Sequence, residues 1–256
     1  MQLDMHYFGT FAMARAAGLT PEAARIIGTC AQFVDDNVAR LTLEFDSGAR
    51  VVSVATAHHA IDTENLDRDD QRRVWIPFHF IPGNSGISFT ERLKCRKNSV
   101  IAQQMVDHHL SLADKPFGLE LMGVAAHVYA DTFSHYGFSG VSSRGNRVEN
   151  DSFKFSGLRD DMEKYILSKQ RRFQEKGGAK LQSNFRDDVR GKGWWERTKN
   201  TLTSWFAENA SGALGHGSVA TFPDRPYLNW SFEYERDDAA LASSNPASPK
   251  LSQRDN

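Results

Sequence analysis

Cysteine is scarce in this sequence of 256 residues: Cys30 and Cys95 are the only two, and they do not form a close pair. A disulfide framework and a thiolate zinc site are therefore not indicated. The sequence also lacks a run of about eighteen apolar residues, the length that a membrane-spanning helix needs. It has no basic leader followed by a long apolar segment. We therefore expect a cytoplasmic protein with no signal peptide and no transmembrane segment.

Net charge is nearly absent, because 31 basic residues stand against 32 acidic ones. No overall positive field is available to attract nucleic acid or anionic lipid, so we expect no stable nucleic-acid complex. The sequence contains no glycine-rich phosphate loop, no adjacent His-Asp dipeptide of the HD phosphohydrolases and no His-Glu-x-x-His of the zincin proteases. Any metal ion would have to be held by histidines and carboxylates. The oligomeric state is left open.

Apolar residues recur mostly with helical spacing, and the sequence predicts a mainly α-helical protein. Gly18 ends a first helix, and Thr20 with Pro21 begins a second. The alternating residues on either side of "DSGA" predict a small β-hairpin at about 41 to 55. Helices are expected at about 5–17, 21–36, 99–113, 117–136, 157–176 and 184–210, and an ordered loop at 57–97.

The chain is long enough to bury one sizeable core, and we expect a single domain over residues 1–236. Residues 237–256 have the composition of a disordered tail. A turn-rich aromatic segment, residues 214–236, precedes that tail. The sequence leaves open whether this segment covers a site or packs elsewhere.

Three polar residues lie at four-residue intervals in the otherwise apolar segment "GVAAHVYADTFSHYG": His127, Asp131 and His135. On an α-helix, residues four apart differ by about 40° and 6 Å of rise, so the three side chains share one edge about 12 Å long. His127 with Asp131 can bind one ion and Asp131 with His135 another, because a carboxylate can bridge ions about 3.5 to 4 Å apart. The alternative is a buried salt-bridged stripe without a metal.

Other histidines and carboxylates before residue 136 favour the metal-binding alternative. Asp35 and Asp36 end a helix, where acidic side chains oppose the helix dipole unless a cation lies nearby. His79 lies between two phenylalanines and would be costly to bury without a partner. His58 and His59 point in different directions, so at most one of them is expected to bind an ion.

We therefore predict a metal site whose ligands come from several segments of the chain. The expected ligands are His6, Asp35, His59, His79, His127, Asp131 and His135. The candidates for further ligands, or for residues that support the ligands, are Asp4, His58, Asp62, His216 and Asp224. Imidazole and carboxylate without thiolate form a ligand set suited to catalytic zinc, manganese or iron. Structural alternatives remain open, such as helix capping by His6.

The segment "AAHVYADTFSH" resembles the zinc-dependent phospholipase C and P1 nuclease superfamily, whose metal cluster is built around a helix bearing His-x-x-x-Asp. The motifs "LDMHYFGT", "FVDDN", "TAHH", "FHFIPG" and "HVYADTFSHYGFSG" also resemble an uncharacterised bacterial family. The resemblance implies a helical bundle of the phospholipase C and P1 nuclease type with two or three zinc ions. The ligands that it implies are His6, Asp35 or Asp36, His79, His127 and Asp131. The superfamily's later His-x-x-x-Glu motif is missing here.

The resulting functional hypothesis is a metal-dependent hydrolase, a phosphodiesterase that acts on a lipid or a nucleotide through a multinuclear His/Asp site. Asp35 or Asp36 is expected to be the general base. Arg72, Arg73 and Arg96 are candidates for orienting a phosphate, although each also suits a solvated surface. The competing hypothesis is a non-catalytic binding or structural protein that is stabilised by its metal.

Overall fold

The computed structural model describes residues 3–58, 64, 67–146, 154–156, 160–161, 164, 168, 224, 229–234 and 250–252. Over these residues the protein is mainly α-helical, with small antiparallel sheets, which confirms the predicted fold class. The elements are a π-helix at Asp4–Gly9, α1 (Thr10–Ala16), α2 (Pro21–Asp36), β1 (Thr42–Glu44), β2 (Arg50–Val52), α3 (Arg68–Asp70), a π-helix at Gln71–Trp75, α4 (Ile76–Phe78), α5 (Phe89–Leu93), α6 (Val100–Leu110), α7 (Gly118–Ser134), a 3-10 helix at Arg144–Asn146, β3 (Lys154–Ser156), β4 (Asn229–Glu233) and β5 (Lys250–Ser252).

The helices predicted in the first half of the chain begin and end close to their expected bounds. The Thr20 side chain caps α2 by accepting a hydrogen bond from the Ala23 N–H at 3.2 Å. Ser99 caps α6 in the same way, with the Ala102 N–H at 3.2 Å. Gly18 follows α1 at a φ of +90°, a conformation that favours glycine. Local capping signals thus determine these helix ends.

The predicted hairpin is formed by β1 and β2, which pair antiparallel with Leu43 opposite Val51. Gly48 lies in its turn at a φ of +80°. Every residue of the two strands is exposed. The hairpin therefore projects from the helical part of the protein and contributes little to the core.

The interpretation of residues 57–97 as a loop is incomplete, because residues 68–78 are helical. The Asp67 side chain begins this stretch by accepting a hydrogen bond from the Asp70 N–H at 2.8 Å. Pro77 lies within this stretch, in α4, directly after the π-helix at Gln71–Trp75. Because charged residues and proline are typical of loops, the sequence did not indicate this helical stretch, which ends directly before His79.

Helix α7 packs against α2 at the centre of the protein. The two backbones meet at Gly123, where a Cβ atom would lie 2.5 Å from the Ile27 carbonyl oxygen and 3.0 Å from the Ala31 nitrogen. Because glycine has no side chain here, the helices approach closely. This approach brings the end of α2, which carries Asp35, beside the segment of α7 that carries Asp131.

A second sheet, with strand order β3-β4-β5, lies outside the predicted elements. Phe232 and Tyr234 pack around Phe138, with the rings of Phe138 and Phe232 centred 5.5 Å apart. The Tyr234 hydroxyl donates a hydrogen bond to the Gly137 carbonyl at 2.8 Å. This part of the aromatic segment 214–236 therefore packs on the chain that follows α7. Strand β5 lies within the segment predicted to be a disordered tail.

Several predictions fall on residues that are not described. His59, Asp62 and His216, the helix at 184–210 and most of the helix at 157–176 lie outside the described residues. Across the described part of the chain, every helix is too short or too polar to cross a membrane.

Candidate metal centre

Five side chains from four separate segments meet between α2, α7 and the end of α4. We call them the central cluster: His6, Asp35, His79, His127 and Asp131. His6, His127 and Asp131 are fully buried and His79 is nearly so, whereas the Asp35 side chain is 29% exposed. His6 lies on the π-helix at Asp4–Gly9, a helix type that is frequently found at functional sites. The cluster is thus enclosed except at Asp35.

Backbone carbonyls determine which nitrogen of His79 and His127 carries the proton. His79 donates from Nε2 to the Thr56 carbonyl at 2.8 Å, and His127 donates from Nδ1 to the Ala31 carbonyl at 2.8 Å. A carbonyl can only accept, so in the neutral rings the opposite nitrogens are unprotonated. Those nitrogens, His79 Nδ1 and His127 Nε2, lie 3.3 Å apart. This is the arrangement of metal-binding histidines, whose second nitrogen donates to a carbonyl.

The carboxylates complete a four-atom group around these two nitrogens. Asp131 Oδ2 lies 3.2 Å from both nitrogens, and Asp35 Oδ1 lies 3.8 Å from His79 Nδ1 and 3.9 Å from His127 Nε2. Ligand atoms about 2.0–2.1 Å from a tetrahedral zinc ion are about 3.3–3.4 Å from one another. The spacing of the two nitrogens and Asp131 Oδ2 therefore fits a bound metal ion, and Asp35 Oδ1 lies about half an ångström further out.

His6 faces the other oxygens of the same two carboxylates. Its Nε2 lies 3.2 Å from Asp131 Oδ1 and 3.7 Å from Asp35 Oδ2, and its ring stacks on His127 with centroids 3.8 Å apart. Neither ring nitrogen makes a well-aligned hydrogen bond with the described residues. Burial lowers the pKa of His6, against the opposing effect of Asp131. Burial thus favours the neutral imidazole of His6, the form that can bind a metal ion.

Asp131 is completely buried, yet its pKa is low. Burial acts to raise that pKa, but the neighbouring histidines, His135 first, outweigh burial and hold the pKa well below its usual value. A buried carboxylate needs a positive partner or several donors to remain charged. The buried histidines and aspartates of the central cluster are close enough to hold a metal ion.

His135 lies beside the central cluster, and its two ring nitrogens face the His79 carbonyl and the Asp224 carboxylate. Its Nδ1 donates to the His79 carbonyl at 2.7 Å and lies 3.5 Å from Asp131 Oδ2. Its Nε2 lies 3.1 Å from Asp224 Oδ1. The structure thus brings two predicted site residues together as an ion pair that supports the backbone of His79. A direct role of either one as a metal ligand stays a prediction.

The two carboxylates beside His135 predict a pH-dependent contribution to stability. Burial acts to lower the pKa of His135, but Asp131 and Asp224 outweigh burial and raise it. Because the folded-state pKa exceeds the unfolded value of about 6.5, this stabilisation is complete below that pH and is lost as the pH rises through the folded-state pKa. We therefore expect His135→Gln to lower the free energy of unfolding of the chelator-treated protein most at about pH 5–6. Urea unfolding from pH 5 to pH 9 measures the difference in free energy of unfolding between the parent and the variant. A difference that stays constant over this range would contradict the prediction.

Of the two acidic residues that end α2, Asp35 faces the central cluster and Asp36 faces outwards. Asp36 accepts a hydrogen bond from Gln32 Nε2 at 3.1 Å on the exposed surface of the helix. Asp4 is also exposed, and its carboxylate accepts a hydrogen bond from the Met5 N–H at 2.9 Å. Of Asp35 and Asp36, Asp35 is therefore the residue whose carboxylate faces the central cluster and could bind an ion there.

A second group, the outer cluster, consists of Arg40, His58, Glu64 and Asp70. His58 Nε2 and Arg40 Nη2 bind the two oxygens of Asp70. Glu64 Oε2 lies 3.7 Å from His58 Nε2 and 3.9 Å from Arg40 Nη2. The spacing would admit an ion, but the Arg40 guanidinium already supplies a positive charge. Sequence reasoning missed Asp70 and Arg40, because neither belongs to a spaced motif.

A comparison with protein families places the whole chain in one of them. The family model that matches covers residues 1–256. The chain therefore belongs to the family of unknown function DUF6765. No curated protein and no solved structure is significantly similar to it. Membership in DUF6765 brings no activity with it, so the function has to be argued from the central cluster.

Proposed function

We propose that the central cluster holds two divalent metal ions, zinc in the first instance, and forms the active site of a phosphodiesterase. The observation that carries this proposal is the orientation of the two carboxylates. Asp35 and Asp131 each direct one oxygen towards His6 and the other towards the pair formed by His79 and His127. Carboxylates that bridge two ions about 3.5–4 Å apart are typical of phosphatase and nuclease sites.

The ligand chemistry supports zinc. Three imidazoles and two carboxylates form a nitrogen and oxygen donor set, which suits zinc and also admits manganese or iron. The resemblance of "AAHVYADTFSH" to the phospholipase C and P1 nuclease superfamily agrees with this proposal, since the same His-x-x-x-Asp supplies His127 and Asp131. Bound divalent ions would supply Lewis acidity, which stabilises charge on phosphoryl oxygens and acidifies water.

Within the central cluster, Asp35 is the residue that solvent reaches, because its side chain is 29% exposed while its partners are almost fully buried. A phosphodiester and the attacking water would therefore approach on the side of Asp35. Asp35 would hold the ions and accept the proton of that water. Asp36 is not suited to this role, because its carboxylate is bonded to Gln32 on the outer surface.

The substrate class is a phosphodiester of either a lipid or a nucleotide. Of the arginines considered for phosphate binding, Arg72 forms an exposed ion pair with Asp69 at 3.3 Å. That contact leaves Arg72 on the surface, where water screens its charge. A phosphate would then be oriented chiefly by divalent ions held by the central cluster.

We expect the purified protein, after dialysis against zinc, to contain more than one equivalent of the metal and to hydrolyse bis(4-nitrophenyl) phosphate. The reason is that the two carboxylates offer two adjacent ion positions. Elemental analysis and release of 4-nitrophenol measure the two properties on the same sample. Chelation should abolish hydrolysis, and added zinc should restore it. A protein that binds no zinc would refute the metal centre itself.

The near-complete burial of four of the five ligands also fits a second function, a structural metal site. Structural sites are closed, whereas catalytic sites keep an open coordination position. A structural site predicts tightly retained metal, a lower melting temperature after chelation and no hydrolysis of any phosphodiester. Metal retention without hydrolysis would therefore favour the structural function.

A further inference from the structure

Thr56 contacts two segments that carry ligands of the central cluster. Its carbonyl accepts the hydrogen bond from His79 Nε2 at 2.8 Å. Its hydroxyl donates to the Val34 carbonyl at 2.7 Å, and Val34 directly precedes Asp35. One residue of the segment between the hairpin and α3 therefore joins a histidine ligand to the end of the helix that carries a carboxylate ligand.

The Val34 carbonyl needs this contact because α2 ends at Asp36. In a longer helix the N–H of Val38 would bind the Val34 carbonyl, but here it binds the Asp36 carbonyl at 3.1 Å. The last carbonyls of a helix have no intrahelical donor and must find one elsewhere. The Thr56 hydroxyl supplies that donor, and the Thr56 N–H binds the Asn37 carbonyl at 2.9 Å.

The outer cluster holds the same segment on its other side. His58 follows Thr56 by two residues, and its Nε2 is bonded to Asp70, which Arg40 also binds. His58 and Asp70 are both buried. The segment of Thr56 is thus anchored on both sides, which makes it a fixed support for the His79 ring.

We propose that Thr56 is a positioning residue that sets the distance between Asp35 and His79 in the metal centre. This inference rests on the proposed metal centre and goes beyond it, because Thr56 itself binds no ion. Removal of the hydroxyl leaves the Val34 carbonyl without this donor, so that, among the described residues, only the hydrogen bonds at Asn37 still hold the end of α2 to the Thr56 segment. The Asp35 carboxylate can then shift relative to the His79 ring.

The test compares Thr56→Val, which is nearly isosteric and lacks the hydroxyl, with Thr56→Ser, which keeps it. We expect the zinc affinity, measured by competition with a chromophoric chelator, to fall about tenfold or more for the valine variant, as is usual when the support of a metal ligand is lost. The serine variant should stay within about twofold of the parent. The absorption spectrum of the cobalt-substituted protein should change in the valine variant alone.

Thr132→Val is the matched control, since it also removes a buried hydroxyl, directly beside Asp131. That hydroxyl donates to the Tyr129 carbonyl at 2.7 Å and accepts from the Asn98 N–H at 3.2 Å, and neither partner is a ligand. The control should lose stability without losing zinc affinity. Melting temperatures in chelator identify the folded variants, and Thr56→Ala replaces the valine variant if that one does not fold.

Three results would overturn the role of Thr56. One is a valine variant that binds zinc and shows the cobalt spectrum as the parent does. The second is a serine variant that binds zinc as weakly as the valine variant, and the third is a Thr132 control whose zinc affinity falls equally. In all three cases the parent still binds zinc, so the proposed function stands. A parent that binds no zinc refutes both proposals.

Discussion

Replacement of Asp131 by asparagine is expected to remove bound metal and hydrolytic activity together while the fold is retained. Asparagine keeps the volume and one oxygen, but it has no charge and cannot bridge two ions. Asp131 places one oxygen 3.2 Å from His6 Nε2 and the other 3.2 Å from both His79 Nδ1 and His127 Nε2. Loss of a residue that only supports a ligand lowers metal affinity or activity roughly 10- to 100-fold. The zinc affinity and the rate of hydrolysis of the asparagine variant should each fall by more than that.

Asp36→Asn is the matched control, because it makes the same chemical change at an exposed carboxylate of α2. It should keep the metal content and the activity of the parent. If Asp131 were only part of a buried salt-bridged stripe, the asparagine variant would lose about 1.5–3 kcal/mol of stability and nothing else. Circular dichroism, elemental analysis and phosphodiester hydrolysis on one preparation decide the matter. A folded variant with full metal and full activity would leave Asp131 a structural residue.

Replacement of Gly123 by alanine is expected to be strongly destabilising, although alanine normally favours a helix. The gain in helix propensity is about 0.5–1 kcal/mol. Against it, the new Cβ would lie 2.5 Å from the Ile27 carbonyl oxygen and 2.6 Å from Cys30 Cβ. Overpacking against atoms that cannot move costs about 1–3 kcal/mol. Because the new Cβ meets backbone atoms, we expect the overpacking cost to lie at the upper end of this range. After the gain in helix propensity is subtracted, the free energy of unfolding should fall by about 2 kcal/mol.

Gly9→Ala is the control, since its new Cβ would be crowded only by a flexible side chain, Met5 Sδ at 2.9 Å, and would lie at an ordinary contact distance of 3.5 Å from the Asp4 carbonyl oxygen. That variant should be as stable as the parent or slightly more stable. Urea unfolding of the two variants measures the difference. The Gly123 variant should also bind zinc more weakly, because separation of α2 from α7 moves Asp35 away from Asp131. Unchanged stability in Gly123→Ala would show that the helices can separate freely.

The row of His127 and Asp131 could be predicted from the sequence, since four-residue spacing on one helix is a local property. The participation of His6, Asp35 and His79 could be predicted only as a set of candidates. Their convergence depends on the packing of α2 on α7, which no short motif encodes. The four-residue spacing of His135 from Asp131 also could not show that the His135 ring faces Asp224.

The helical stretch before His79 was missed for a related reason. Pro77 and the charged residues from 67 to 73 are typical of loops, and the capping role of Asp67 becomes visible only when the structure shows its hydrogen bond. The link between Arg40 and Asp70 joins residues 30 positions apart. Contacts of this kind leave no periodic signal in the sequence, so the sequence patterns indicate the candidate ligands and not the residues that hold them in place.

The five residues of the central cluster lie at positions 6, 35, 79, 127 and 131, so the unfolded chain contains no comparable site. An ion that binds the native state alone shifts the folding equilibrium by mass action, by about 2.7 kcal/mol when its free concentration is a hundred times its dissociation constant. That amount is a large share of the 5–15 kcal/mol, roughly, by which proteins are stable. If the cluster holds its ions, the supply of metal in the cell and the amount of folded protein are therefore linked. A cell that withholds the metal would reduce the quantity of this protein as well as its activity.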